Sequence, residues 1–81
     1  MVNVRIYVTY KQSVFDPQGE AIKDAVLSLG HDEVVSIKVG KFFDVQIDEN
    51  KKEVAQAVKE ISEQLLVNFN LETYHYELME D

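Results

Sequence analysis

Cysteine is absent from this chain, so no disulfide can brace it, and no cluster of metal-ligating residues offers zinc as a substitute. Basic residues are scarce. Eight Lys and Arg stand against fifteen Asp and Glu, a net charge of −7. That balance repels phosphate backbones and anionic lipid surfaces, which argues against nucleic acid and membrane as partners. The acidic surface either keeps the chain soluble or meets a basic patch on another protein. No apolar run approaches the ~20 residues that a membrane span needs. The opening Met1-Val2-Asn3-Val4-Arg5 lacks a basic segment followed by a long apolar one, the pattern of a secretory leader. With zero cysteines suiting a reducing compartment, the expected location is the cytoplasm.

What is present describes one domain over residues 1–81, with 46% hydrophobic and 28% charged residues. A domain of this size buries only about 60–65% of the surface its unfolded chain exposes, so its private core is thin. Association with other subunits is then the expected extra source of stability.

The order of elements reads strand, helix, strand, helix, strand. Val2, Val4, Ile6, Val8 and Tyr10 alternate with Asn3, Arg5, Tyr7 and Thr9, the period-two pattern of a strand with one buried face. Asp16-Pro17 then opens a helix, Asp as the cap and Pro at the first helical position. Gly19 falls in the first turn, where a side chain would stand between the helix end and whatever approaches it. Ala21, Ile22, Ala25, Val26 and Leu29 form an apolar stripe, and Gly30 supplies the left-handed stop. The spacing predicts a helix over 17–29.

Residues 34–39 and 42–47 are both strand-like, with Gly40-Lys41 between them. A two-residue hairpin would turn Asp44 and Gln46 to the buried face. Read straight through, Val35, Ile37, Val39, Phe43, Val45 and Ile47 share one parity, which favours a single long strand bent at Gly40. Such a strand would outrun its neighbours and need a partner for its free portion. The second helix is expected to take its caps from Asp48, Glu49 and Asn50. Val54, Ala57, Val58, Ile61 and Leu65 form its apolar face, and Asn68 ends it. A last strand places Tyr74, Tyr76 and Leu78 on one face and Thr73, His75 and Glu77 on the other, with Glu80 and Asp81 as a frayed tail. The fold class is α+β: a two-layer sandwich of an antiparallel sheet with two helices on one face. It is either βαβαβ with a long bent middle strand or ferredoxin-like βαββαβ.

Chemistry is hard to find. Ser13, Ser28, Ser36 and Ser62 have no glycine elbow. His31 reads as a turn residue and His75 as a surface residue of the last strand. Asp44, Asp48 and Glu49 lack the glycine-punctuated loop of a hard-cation site. Gly40-Lys41 lacks the preceding glycine of a phosphate loop. Neither a catalytic, a cofactor-binding nor a metal-binding residue is expected.

Three blocks in order carry a resemblance. They are Val14-Phe15-Asp16-Pro17-Gln18-Gly19-Glu20-Ala21-Ile22 with Ala25-Val26, then Leu29-Gly30, then Val35-Ser36-Ile37-Lys38-Val39-Gly40-Lys41. Together they resemble the PurS family, the small subunits of phosphoribosylformylglycinamidine synthase. The C-terminal part departs from the family pattern, since Phe69 follows Asn68 where Pro is usual. The resemblance implies a non-catalytic subunit in de novo purine synthesis, itself a dimer or tetramer. It implies a large synthetase subunit that uses ATP and Mg, a glutaminase subunit that makes ammonia, and a role in bringing the two together. It makes Asp16, Pro17, Gln18, Gly19, Gly40 and Lys41 candidate subunit-interface residues. Beside that role stand simpler ones: a helix cap for the first group, a backbone requirement for Gly40, and a solvent-facing charge for Lys41. Two other classes stay open, a regulatory small-molecule-binding domain of ferredoxin-like shape and a stand-alone enzyme using the acidic surface.

Overall fold

The structure, a computed structural model, describes residues 1–79; the Glu80-Asp81 tail lies outside the described residues. Strand β1 (Val2–Tyr10) is followed by α1 (Pro17–Ser28), β2 (Gly40–Ile47), α2 (Val54–Ile61) and β3 (Glu72–Met79). The three strands form one sheet in the order β2-β1-β3, with both pairings antiparallel. This is the βαβαβ arrangement of an α+β domain.

The alternation of β1 fixes the inner face. Val4, Ile6 and Val8 are buried, with Val45, Phe43 and Lys41 opposite them on β2 and Leu78, Tyr76 and Tyr74 on β3. Ala57 and Val58 of α2, Ile47 and Val67 complete the core. Fully buried side chains of the size of Ile6 and Val58 each contribute about 1.5–3 kcal/mol of transfer free energy.

Helix α1 starts and stops where its sequence signals stand. Asp16 caps it, Pro17 occupies the first turn, and Gly30 adopts φ 95° beyond its end. The amide of Gly30 donates to Leu27 O and that of His31 to Val26 O, the paired bonds of a Schellman motif. Its apolar stripe does not join the core. Gly19 is the buried residue of α1, whereas Ile22 is 41% and Leu29 77% exposed.

Two local expectations are corrected. Asp48, Glu49 and Asn50 do not cap α2. Asp48 closes a turn of its own, accepting from Asn50 N at Oδ1 and from Lys51 N at its carbonyl, and the cap position falls to Glu53. After Ile61 the helix widens into a π-turn (Ser62–Leu66), closed by Val67 N donating to Ser62 O. The extra residue per turn rotates the sequence that follows. Val67 therefore enters the core while Leu65, expected there, is 82% exposed.

The middle strand is not a hairpin. Residues 40–47 pair with β1 and keep Phe43, Val45 and Ile47 on the inner side, whereas residues 34–39 precede them outside the sheet. Gly40 has no left-handed backbone. A Cβ there would stand 2.6 Å from the Thr9 methyl and 3.0 Å from Val8 O, so its requirement is close approach to β1.

Candidate functional site

Where β1 ends, the chain from Lys11 to Asp16 turns back, and the start of α1 comes to lie beside residues 34–39. Asp16 is the joint. Its Oδ1 accepts from Gly19 N at 3.0 Å and its Oδ2 from Val39 N at 2.8 Å. One carboxylate therefore caps the helix and holds the neighbouring segment. The Gly19 and Val39 amides, with the Lys38 charge in support, hold its pKa below the ordinary carboxylate value against the opposing effect of desolvation. Lys38 Nζ donates to Val14 O at 2.9 Å, a second tie across the same junction. Gly19 allows the approach, because a Cβ would overlap the Ile37 carbonyl oxygen and stand 2.8 Å from Asp16 Oδ2.

The six candidate residues thus divide. Asp16 and Gly19 are buried and spend their contacts within the chain, so neither offers surface to a partner. Pro17 is exposed at the first turn of α1. Gln18, Gly40 and Lys41 come together along an open cleft of about 270 Å³, lined also by Val8, Thr9, Tyr10, Val39 and Glu72. Lys41 stretches over Phe43 with its Nζ 5.8 Å from the ring centroid.

A second cluster lies on the sheet face away from α2, and sequence reasoning did not assemble it. Register sets Asp44, Arg5 and Glu77 in one row across the strands and Phe42, Tyr7 and His75 in the next. Arg5 Nε meets Asp44 Oδ1 at 2.8 Å and Nη2 meets Oδ2 at 3.2 Å, a bidentate pair that raises the arginine pKa and lowers that of Asp44. The same guanidinium lies 4.3 Å from the Phe42 centroid. Tyr7 stacks on His75 at 4.7 Å, and its hydroxyl donates to Glu77 Oε2 at 3.4 Å. Only the strand pairing, not any spacing in the sequence, brings these groups into rows. Their geometry suits recognition by stacking and charge.

The molecule is a small α+β domain with much of its apolar surface uncovered, its contact-making groups at a helix–strand junction and on an open sheet face. Its family follows from comparison. The PurS family model, described as phosphoribosylformylglycinamidine (FGAM) synthase, matches residues 3–80. The phosphoribosylformylglycinamidine synthase subunit PurS of Bacillus subtilis is 39% identical over 80 residues, 99% of this chain and 95% of that one. The solved B. subtilis PurS superimposes with a TM-score of 0.89, covering 99% of this chain and 100% of the other. A chain in the structure of PurLQS from Thermotoga maritima is 28% identical with a TM-score of 0.77, over 96% of each chain. This chain belongs to the PurS family.

Proposed function

We propose that this chain is the small subunit of phosphoribosylformylglycinamidine synthase, the ATP-dependent ligase of purine biosynthesis that takes its nitrogen from glutamine. It acts in the cytoplasm as a dimer or tetramer and carries no catalytic group or cofactor of its own; ATP and Mg²⁺ belong to the large synthetase subunit. It holds that subunit and the glutaminase together so that ammonia passes between two active sites without escaping to solvent. The observation that carries this reading is the family match across residues 3–80 with relatives named as PurS subunits. The likeness to a chain of PurLQS supports association with other subunits.

Two assays with purified synthetase and glutaminase, each run with and without this chain, test the reading. Ammonia-dependent synthesis at high ammonia should persist without the chain, because the ATP and substrate sites lie elsewhere. Glutamine-dependent synthesis should fall sharply, because tethering is what raises the local ammonia concentration. Equal loss of both rates, or loss of neither, would remove the bridging role.

A further inference from the structure

Two charged residues stand on the inner side of the sheet, where their rows are otherwise apolar or aromatic. The inner row of β2 runs Val45, Phe43, Lys41, and that of β3 ends on Tyr74 and Glu72. Lys41 lies opposite Val8 and Glu72 opposite Tyr10, so a cation and a carboxylate flank the end of β1 from its two sides. They do not pair with each other, and Lys41 makes no ion pair among the described residues. One strand spacing on each side of β1 already sets their backbones about 10 Å apart. Between them opens the cleft of about 270 Å³, with Val8 buried in its lining and Gln18 reaching it from α1.

Three polar side chains of the cleft have bonding capacity to spare. Glu72 accepts from Asn68 N at 2.9 Å through Oε1, which fixes the carboxylate and leaves Oε2 without a donor among the described residues. Lys41 Nζ is 5.8 Å from the Phe43 centroid, near the outer limit of such a contact, and its flexible stem can swing across the cleft. The side-chain amide of Gln18 makes no hydrogen bond among the described residues. Opposite charges that do not reach one another select a ligand that carries both. A polyanion would have one lysine to hold it against Glu72 and a net charge of −7. A hard cation takes about six to eight oxygens and would find a single carboxylate. The volume lies below the about 300–1,000 Å³ of sites for drug-sized ligands, which leaves a small metabolite.

We propose that this cleft binds a free α-amino acid with a primary-amide side chain, its carboxylate on Lys41, its ammonium on Glu72 and its amide paired with that of Gln18. A charge-assisted contact at each end sets the direction of the ligand. The Gln18 amide both donates and accepts, which complements a second primary amide. The choice of glutamine among such amino acids rests on the subunit reading above, in which glutamine is the nitrogen source; the site itself rests on the cleft. The ligand ties the first turn of α1 to the ends of β2 and β3. Occupancy therefore stabilises the chain by mass action, and its order follows the supply of glutamine.

Titration of the isotopically labelled full chain with L-glutamine, followed by amide NMR shifts, tests the site. The shifts should saturate with a midpoint below about 10 mM and be largest at Gln18, Gly40, Lys41 and Glu72. Three analogues should each bind at least tenfold more weakly: N-acetyl-L-glutamine, which lacks the ammonium; L-glutaminamide, which lacks the carboxylate; and L-glutamate, which lacks the amide. Lys41→Met removes an exposed charge and Glu72→Gln keeps an acceptor for Asn68 N, so both should fold as the wild type does and weaken glutamine at least tenfold. Lys59→Met, on α2 and outside the cleft, should bind as the wild type does. No saturation, equal binding of any analogue, or unchanged binding by both charge variants would overturn the site. So would variants that impair glutamine-dependent synthesis while the wild-type chain binds no amino acid, since the cleft would then be a contact for another subunit. If a variant does not fold, the analogues decide. Where the site fails but glutamine-dependent synthesis still requires the chain, the subunit reading stands. Where glutamine binds but synthesis does not require the chain, the site stands and the subunit reading falls.

Discussion

Replacing Gly19 with alanine tests the helix–strand junction, because two effects of known sign compete there. Gly19 has an ordinary helical backbone, φ being positive at Gly30 alone among the described residues. In an open first turn, alanine would therefore stabilise the helix by up to about 1 kcal/mol. Here the new methyl overlaps the Ile37 carbonyl oxygen and crowds the Asp16 carboxylate. Restoring normal contact requires a displacement on the order of 1 Å. The moving atom is backbone, tied to the same junction by the 2.8 Å bond from Val39 N to Asp16, so it cannot yield as a side chain would. Overpacking costs about 1–3 kcal/mol, and a clash with backbone belongs to the upper half of that range, which outweighs the propensity gain and leaves a net loss of roughly 1–2 kcal/mol. For a domain of this length that lowers Tm by roughly 5–15 °C. The comparison needs matched protein concentrations, since association contributes to the apparent midpoint. An alanine variant that melts at or above the wild type, in the same oligomeric state, would refute the close approach.

Ser62 is fully buried and its hydroxyl has no hydrogen-bond partner among the described residues. Ser62→Ala should therefore raise stability by about 1 kcal/mol, read as a higher urea midpoint at unchanged slope; a lower midpoint would show that the hydroxyl is satisfied. Asp16 titrates below its ordinary value in the folded chain, so its contribution is complete above about pH 4 and is lost as pH falls through the lower folded-state value. Asp16→Asn keeps one acceptor for Gly19 N but opposes an amide N–H to Val39 N. Its stability deficit should accordingly be largest near neutral pH and shrink in acid, and a deficit constant with pH would contradict the charge-assisted junction.

Features set by adjacent residues were legible in the sequence. The β1 face followed from strict alternation, and the limits of α1 from Asp16-Pro17 and Gly30, because capping and stopping act within a few residues. Asp16 was readable as a cap but not as the acceptor for Val39 N, which lies 23 residues away. Gly19 signalled that something approaches the helix, without saying that it is the Ile37 backbone. Leu65 was misplaced because helical spacing assumes a constant turn, and the π-turn over Ser62–Leu66 inserts a residue that leaves no mark on composition. The Asp44–Arg5–Glu77 row needed the register of both pairings at once. The stripe of α1 marked a face to be covered and carried no information about which molecule covers it.

The core among the described residues is seven apolar side chains, drawn from β1, the end of β2, α2 and Val67. Residues 11–41 contribute none of them. A copy that has met no other subunit thus holds residues 11–39, more than a third of its length, through the Asp16 and Lys38 ties, the Lys11–Leu71 backbone bond and local turn and helix bonds. Segments held so weakly open often and are cut by proteases in proportion to the time spent open. Unassembled copies are therefore expected to be cut faster than assembled ones, which limited proteolysis of the chain alone and of the chain with its partner subunits would show.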